Sequence, residues 1–243
     1  MLARASPKGT DLPSTSKIFW EPVSAYWRGF LLADGCVTMH GGRPNLHLSL
    51  AKADEDHLRL FLSDIGSNAP IRSNKKKTMR GKVCEQLASR TPLTHAEAAH
   101  LANYGMVPRK THILDLSVLE RLPEDLIRDS IRGYMDGDGW VSIPGDGVRG
   151  HMVIGVAASL RSITFVSEYL KRTLSVESSV CRSKPGKELW MCRWSGTRGA
   201  LVCAYLYREA DRFLGRKRDK AEEIVLSWNR SRRGPPIGRP RLV

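Results

Sequence analysis

The sequence has no apolar stretch long enough to cross a membrane, and residues 1–16 lack the apolar run of a secretory signal peptide. Its five cysteines, at positions 36, 84, 181, 192 and 203, form no CxxC pair, and an odd number cannot all be bridged. These absences argue against a membrane protein and against a secreted, disulfide-stabilised one. We expect a soluble intracellular protein, cytoplasmic or in an organelle matrix, with reduced and mostly buried cysteines.

Acidic residues are in the minority. The 25 Asp and Glu face 39 Lys and Arg, which gives a net charge of +14 and a pI near 9.9. A field of this sign attracts polyanions, and nucleic acid is the first candidate. The 243 residues, 41% of them hydrophobic, are enough for one large domain or two ordinary ones, each with its own core.

One stretch of the sequence occurs twice. Residues 27–35 read WRGFLLADG, and residues 131–139 read IRGYMDGDG. Both copies begin with Arg-Gly-aromatic and end in Asp-Gly, at Asp34 and Asp138. Repetition over this distance indicates two related structural units. Two unrelated amphipathic helices with Asp-Gly turns are the alternative, which the shared register makes improbable.

Small residues recur on one face of each predicted motif helix. Gly29 and Ala33 stand four positions apart, as do Gly133 and Gly137, so each pair shares a helix face. Small side chains at this spacing let two helix backbones approach closely. We therefore expect the two helices to pack against each other.

The packing of these helices would bring two carboxylates together. Asp34 and Asp138 would lie at the negative ends of two helix dipoles, with Gly35 and Gly139 as helix stops. Two like charges in such a place destabilise each other, and a divalent cation would resolve the conflict. Carboxylates with water are ligands that suit Mg²⁺.

The remaining patterns repeat an order of helix, hairpin, helix, hairpin, helix. In the first half, the alternation of Asn45–Leu50 predicts a strand, Thr94–Glu97 is a capping box that opens a helix, and Lys75–Lys77 is predicted to be a loop tip. The predicted domains are a flexible arm (1–17), a first unit (18–110), a linker (111–122), a second unit (123–228) and a basic disordered tail (229–243).

The repeated motif resembles that of the LAGLIDADG homing endonucleases, in the monomeric form that carries two motifs in one chain. The second copy fits the motif well, and the first departs from it where Leu32 replaces the first acid; both copies keep the second acid, the metal-binding one. The resemblance implies an α+β fold of two pseudo-symmetric αββαββα units, packed through their motif helices, with the antiparallel sheets forming a saddle for DNA.

The same resemblance implies a catalytic centre. Asp34 and Asp138, with Gly35 and Gly139, would bind two or three divalent cations, Mg²⁺ by preference, with Mn²⁺ or Ca²⁺ able to substitute for binding. A basic residue after the last helix of each unit, Lys110 and Lys217, would stabilise charge on the scissile phosphates.

The open sheet faces would contact the DNA, since strands can read base edges in a major groove. A solvated face, common in antiparallel sheets, is the alternative. The polar candidates in the first unit are Thr38, His40, Asn45, His47, Ser49, Arg72, Asn74 and Gln86, and those in the second are Ser142, Arg182, Lys184 and Arg193. Lys75, Lys76 and Lys77 are predicted to meet phosphates, which position the protein without specifying sequence.

Together these patterns predict a site-specific double-strand DNA endonuclease that acts as a monomer, at a long and weakly palindromic site, through metal-dependent phosphodiester hydrolysis. Two alternatives use the same scaffold. One is a maturase that binds intron RNA, and the other is a DNA-binding regulator with an inactive site. The retention of both acids favours the enzyme.

Overall fold

The computed structural model describes residues 23–77, 83–108, 115–143, 152–183 and 188–231. The elements of the first unit are α1 (Val23–Asp34), β1 (Gly35–His40), β2 (Arg43–Ala51), α2 (Glu55–Asp64), β3 (Ile71–Lys77), β4 (Val83–Pro92) and α3 (His95–Asn103). Those of the second are α4 (Glu124–Asp138), β5 (Gly139–Ser142), β6 (Val153–Ala158), α5 (Leu160–Leu174), β7 (Ser179–Arg182), β8 (Trp190–Ser195), α6 (Gly196–Tyr207) and α7 (Gly215–Ser231). Short 3₁₀ helices cover Lys52–Asp54 and Leu116–Arg121.

Each unit contains one antiparallel four-stranded sheet, and the two sheets have the same topology. The strand orders are β1-β2-β4-β3 and β5-β6-β8-β7. This confirms the predicted α+β class and its two pseudo-symmetric units. Among the described residues, no helix is both long and apolar enough to cross a membrane.

Strand β2 shows why the first sheet has one covered and one open face. Leu46, Leu48 and Leu50 are buried in the core with residues of α1 and α2, whereas His47 and Ser49 are half-buried on the other face. Alternation with a period of two separates these faces in any strand. The helices cover the leucine face, which leaves the polar face available.

The motif helices α1 and α4 pack as closely as the sequence predicted. A Cβ atom at Gly133 would lie 2.0 Å from the carbonyl oxygen of Tyr26, and one at Gly137 would lie 2.3 Å from the Cβ of Ala33. The Ser130 hydroxyl adds a hydrogen bond of 2.8 Å to the carbonyl oxygen of Ala25. Helix backbones in this contact leave no space for larger side chains.

Gly139 ends the second motif helix, but it does not adopt the left-handed conformation of the usual glycine stop. Gly139 has an extended backbone, with φ −83° and ψ 178°, and the strand begins at this residue. Its Cβ would lie 2.5 Å from the carbonyl oxygen of Met135 and 2.9 Å from that of Gly155. Glycine is therefore needed here because other backbone atoms approach closely.

One further prediction differs from the structure, and the predicted linker has local structure of its own. Lys75–Lys77 do not form a loop tip but continue β3, where Lys75 is paired with Glu85 and Lys76 with Cys84. The segment predicted as a linker includes the 3₁₀ helix Leu116–Arg121, whose Leu116 and Leu119 are fully buried. The segment packs against α5, and the Leu116 amide donates a hydrogen bond of 2.9 Å to the Ser162 hydroxyl.

All five cysteines are free thiols, as predicted. Only Cys192 and Cys203 are buried, and the other three are half-buried, so the prediction that most of the cysteines are buried is wrong. The predicted N-terminal arm lies outside the described residues. So does most of the predicted tail, because α7 extends to Ser231.

Candidate metal centre and nucleic-acid interface

The two motif acids emerge side by side at the ends of α1 and α4. Both Asp34 and Asp138 are exposed, although the helices that carry them are buried for most of their length. Oδ2 of Asp34 lies 3.2 Å from the position that a Cβ of Gly137 would occupy, so this carboxylate borders the end of α4. The structure thus brings together the two residues that the repeat singled out.

A buried tyrosine supports the second acid. Tyr134, one helical turn before Asp138, forms a side-chain hydrogen bond with its carboxylate. Burial, the Asp138 charge and this hydrogen bond raise the pKa of Tyr134, with a further contribution from Asp34. Tyr134 therefore stays protonated and fixes the direction of the Asp138 side chain.

Lys217, predicted to stabilise charge on the scissile phosphates, is buried at the end of α4. Its side chain is 4% exposed, and Nζ donates to the carbonyl oxygens at the end of α4. The distances are 2.8 Å to Met135, 2.6 Å to Asp136, 3.2 Å to Gly137 and 2.6 Å to Gly139. Burial lowers its pKa to about 8, against the attraction of Asp136, Asp34 and Asp138.

In this geometry Lys217 acts as a cationic cap of the second motif helix, where a positive charge is favourable. Its contact with the scissile phosphates stays a prediction. Lys110, its predicted counterpart, lies outside the described residues. The carbonyl oxygen of Gly139 accepts a hydrogen bond from Lys217. The metal contacts of Gly35 and Gly139 remain predictions.

Asp136, which has Leu32 as its counterpart in the first motif, is buried between the units. It accepts hydrogen bonds from the hydroxyls of Tyr26 (2.9 Å) and Tyr207 (2.6 Å) and from the amide of Leu214 (2.7 Å). Burial raises the pKa of Asp136, in opposition to these hydrogen bonds and to the charge of Lys217. Asp136 thus joins α1, α6 and Leu214, the residue before α7. It is buried and does not reach the surface beside Asp34 and Asp138.

Two ion pairs across the units reinforce this junction. The Asp64 carboxylate accepts hydrogen bonds from Nε of Arg212 at 2.7 Å and from Nη2 of Arg212 at 3.0 Å. Its Oδ2 also accepts a hydrogen bond of 2.7 Å from Nε1 of Trp27. Asp54 binds Nε of Arg216 at 2.9 Å in the same manner. These aspartates belong to the first unit and the arginines to the second, so the pairs link the two units. No pattern in the sequence predicted them.

The open face of the first sheet carries nearly all of the predicted polar residues. The register places Thr38 opposite Asn45, and Asn74 opposite Gln86. A groove of about 420 Å³ lies on this face and is lined by Asn45, His47, Arg72, Asn74 and Arg90, among others. Burial and the nearby Arg90 lower the pKa of His47, which keeps its ring neutral. Sequence reasoning missed Arg90, which alternation along β4 with Gln86 could have found.

Three other predicted residues of this unit are placed by the same register. His40 and Ser49 lie on the open face with His47, while Lys75 lies on the covered side and Lys76 on the open one. The Lys77 side chain lies outside the part of the chain that the structure describes.

The second sheet places its predicted residues less uniformly. Arg193 is exposed on the open face opposite Gly155. Ser142 shares that face but is only 4% exposed. Arg182 is opposite Trp190, and its guanidinium lies 5.1 Å from the centre of that ring. Its register belongs to the covered face, so the prediction of an open-face Arg182 is wrong. Lys184 lies outside the described residues.

No protein-family model and no curated protein sequence matches the chain. Solved structures do. The homing endonuclease I-WcaI, bound to its DNA recognition sequence, is 10% identical, with a TM-score of 0.61 over 87% of this chain and 95% of its own. The I-SmaMI LAGLIDADG homing endonuclease, bound to cleaved DNA, is 12% identical, with a TM-score of 0.53 over 83% and 87%.

A third structure has the same fold and is not described as an endonuclease. The N-terminal LAGLIDADG domain of DUF199/WhiA is 11% identical, with a TM-score of 0.50 over 93% of this chain and all of its own. At these identities the likeness concerns the fold. The chain has the LAGLIDADG homing-endonuclease fold, in the form that carries both units in one chain, as the repeated motif predicted.

Proposed function

We propose that the protein is a site-specific, metal-dependent endonuclease for double-stranded DNA. The observation that carries the proposal is the emergence of Asp34 and Asp138, both exposed, at the adjoining ends of two tightly packed helices between the two sheets. Solved structures of the same fold are described as homing endonucleases bound to DNA. A net charge of +14 is suited to a polyanionic partner.

The donor set fits divalent cations. Mg²⁺ is usually held by one or two carboxylates, with water and phosphate oxygens as its other ligands. The described residues contain no cluster of three or more His, Cys, Asp and Glu, so the two aspartates are the protein carboxylates available at this point. Asp34 and Asp138 would hold the ions, with the carbonyl groups at the helix ends beside them. Bound Mg²⁺ would activate water and stabilise the leaving 3′ oxygen.

The protein's own groups position this centre. Tyr134 orients Asp138, and Lys217 fixes the carbonyl oxygens at the end of α4. The ion pairs link the two units, and a duplex lying across both sheets would present its backbone to the two acids. Because one chain supplies both motifs, we propose that it acts as a monomer on a weakly palindromic site.

The test is a cleavage assay on a randomised duplex library with Mg²⁺. The wild-type chain should cleave a discrete set of sequences, and Mn²⁺ should be able to replace Mg²⁺. The Asp34→Asn/Asp138→Asn double variant should bind the same sequences in Ca²⁺ and cut none of them. Cleavage by the double variant at the wild-type rate would contradict the assignment of the centre.

A DNA-binding regulator without nuclease activity is the second candidate. The placement of Lys217 favours it, because the buried ammonium group is engaged with helix carbonyl oxygens. The WhiA domain is also a fold relative that is not described as an endonuclease. Specific binding by the wild-type chain without cleavage in either Mg²⁺ or Mn²⁺ would establish this function in place of the first.

A further inference from the structure

The two sheets can be compared position by position because they share strand order and register. Asn45 of β2 pairs with Thr38 of β1, and Val153 of β6 pairs with Ser142 of β5. Asn45 and Val153 therefore occupy equivalent positions in the two sheets. By the same pairing His47 corresponds to Gly155 and Ser49 to Ala157. These positions are therefore polar and half-buried in the first unit, whereas in the second unit they are apolar or small, with Val153 and Gly155 buried and Ala157 half-buried.

The neighbouring strands show the same contrast. Arg72 of β3 faces Ala88, and the matched pair in the second unit is Cys181 and Met191. Both faces have an arginine at the same position, because Arg90 pairs with His47 and Arg193 pairs with the equivalent Gly155. Apart from Arg193, the central positions of the second face are apolar or small.

Trp140 adds the largest apolar group to this face. It directly follows the Asp138-Gly139 motif, at the position that Cys36 holds in the first unit. A Cβ atom at Gly155 would lie 2.5 Å from Cζ2 of Trp140, so the indole ring lies against the Gly155 backbone on the open side. Trp140 and Met191 are half-buried and lie outside the hydrophobic core cluster, whereas Val153 is only 8% exposed. Because Trp140 follows the Asp138-Gly139 motif directly, the partly exposed apolar groups of this face begin beside the proposed metal centre.

We infer that the second unit reads its half of the DNA target mainly through apolar contacts to thymine methyl groups, whereas the first unit reads its half through hydrogen bonds. This inference rests on the proposed function. Thymine is the base that presents a methyl group in the major groove, and apolar side chains recognise it there. Asn, Gln and Arg side chains recognise adenine and guanine edges by paired hydrogen bonds.

Duplex DNA is the occupant that fits this surface. Strands β1 and β5 begin directly after Asp34 and Asp138, so both faces start beside the two acids, and Arg193 supplies an exposed cation on the second face. Met191 is an unbranched side chain that adapts its shape to a contact. A bound protein would compete with the DNA that the adjoining face binds.

The experiment replaces thymine by deoxyuridine, which removes only the methyl group. A duplex selected by the wild-type chain from a randomised library is synthesised with deoxyuridine in one half, in the other half, or in neither. Arg90→Ala identifies the half bound by the first unit, because it relaxes base preference there. Affinity is measured in Ca²⁺ by fluorescence anisotropy.

Deoxyuridine in the second unit's half should weaken binding about fourfold for each methyl that is contacted, the equivalent of one buried methyl group. The same replacement in the first unit's half should change affinity by less than about twofold. Met191→Ser should reduce the penalty in the second half, and Ala88→Ser, at the matched position of the first sheet, should leave both penalties unchanged.

The outcomes separate this inference from the proposed function. Equal penalties in the two halves, or none in either, on a duplex that the protein binds and cleaves would overturn the inference alone. Enrichment of no DNA duplex at all, or of RNA in a parallel library, would overturn the proposed function and the inference with it.

Discussion

Gly29 of α1 lies so close to Ser130 of α4 that a Cβ atom at position 29 would stand 1.7 Å from the Ser130 carbonyl oxygen. Backbone on both sides prevents a local adjustment, so Gly29→Ala should force the motif helices apart. We expect the free energy of unfolding to fall by at least about 3 kcal/mol, the upper part of the range for overpacked sites. Urea unfolding followed by circular dichroism measures this change.

Gly215→Ala is the matched control for that substitution. Gly215 opens α7, and no atom lies within 4 Å of the position that its Cβ would occupy. Alanine there should change stability by less than about 1 kcal/mol, since it is the better helix former. Equal unfolding midpoints for the two variants would contradict the close packing of α1 and α4.

The two acids can be tested singly on a supercoiled plasmid that carries the selected target. Asp34→Asn and Asp138→Asn remove charge from exposed side chains with little change in volume, so unfolding midpoints should move only slightly. If the two acids share one metal cluster, each single variant should lose cleavage of both strands. Nicking of one defined strand by each variant would instead indicate independent sites. A gel that resolves intact, nicked and linear plasmid distinguishes these results.

Lys217→Met tests whether this lysine caps α4. The substitution keeps much of the side-chain volume but leaves buried carbonyl oxygens without a donor, which costs roughly 1–3 kcal/mol for each such group. We expect a loss of at least about 2 kcal/mol in the free energy of unfolding. The control is Lys171→Met on α5, a side chain that is 58% exposed and pairs with Glu177. A loss of cleavage with unchanged stability would favour the phosphate contact that the sequence suggested.

The ion pair between Asp64 and Arg212 should be worth far more than a surface pair. Their side chains are 11% and 27% exposed, and Asp64 also accepts the Trp27 indole N–H. Asp64→Asn should lower the free energy of unfolding by about 2 kcal/mol, in the range for a charged hydrogen bond that loses its partner. The exposed pair of Lys52 and Glu85 is the control, and Glu85→Gln should leave the unfolding midpoint nearly unchanged because exposed ion pairs contribute little. Similar losses for the two variants would contradict a structural role of the pair.

His57 should make stability depend on pH below neutrality. Its ring lies 3.0 Å from the Tyr26 hydroxyl among aromatic side chains, and burial lowers its pKa from 6.5 to about 4. Between these values the unfolded chain binds the proton and the folded chain does not. The contribution of His57 is therefore full above pH 6.5 and is lost as the pH falls toward 4, by roughly 2–3 kcal/mol.

The measurement is the free energy of unfolding at a series of pH values for His57→Gln and for His40→Gln, an exposed histidine of β1. The first variant should flatten the pH dependence between 6.5 and 4, whereas the second should keep the wild-type slope. Parallel curves for His57→Gln and the wild-type chain would show that the dependence arises elsewhere.

The sequence predicted those features that repeat or alternate. The in-register repeat identified Asp34 and Asp138, and their helices pack through Gly29 and Gly133 as the spacing required. The alternation of β2 gave the correct open face of the first sheet. Local periodicity records which side of an element is buried, so these features are written in short stretches of sequence.

Features that join distant parts of the chain were not predictable in this way. Asp136 binds Tyr26 and Tyr207, and Asp54 binds Arg216, through contacts that only the packed units create. Arg182 was assigned to the wrong face because short β7 has no alternating pattern strong enough to set its register. The sequence does not reveal that Lys217 is buried, because its burial depends on how α7 passes beneath the end of α4.

The matched register of the two sheets has a consequence for how such a protein diverges. The groups that join the units lie on helices and on the segments next to them, away from the open faces. A gene that has been duplicated and fused can therefore accumulate substitutions on one open face while the other face and the joint stay unchanged. The replacement of Asn45, His47 and Ser49 by Val153, Gly155 and Ala157 is what such independent drift would produce. Recombining one half of this chain with a half of another would be constrained by the α1–α4 contact and the inter-unit ion pairs, and not by what either face recognises.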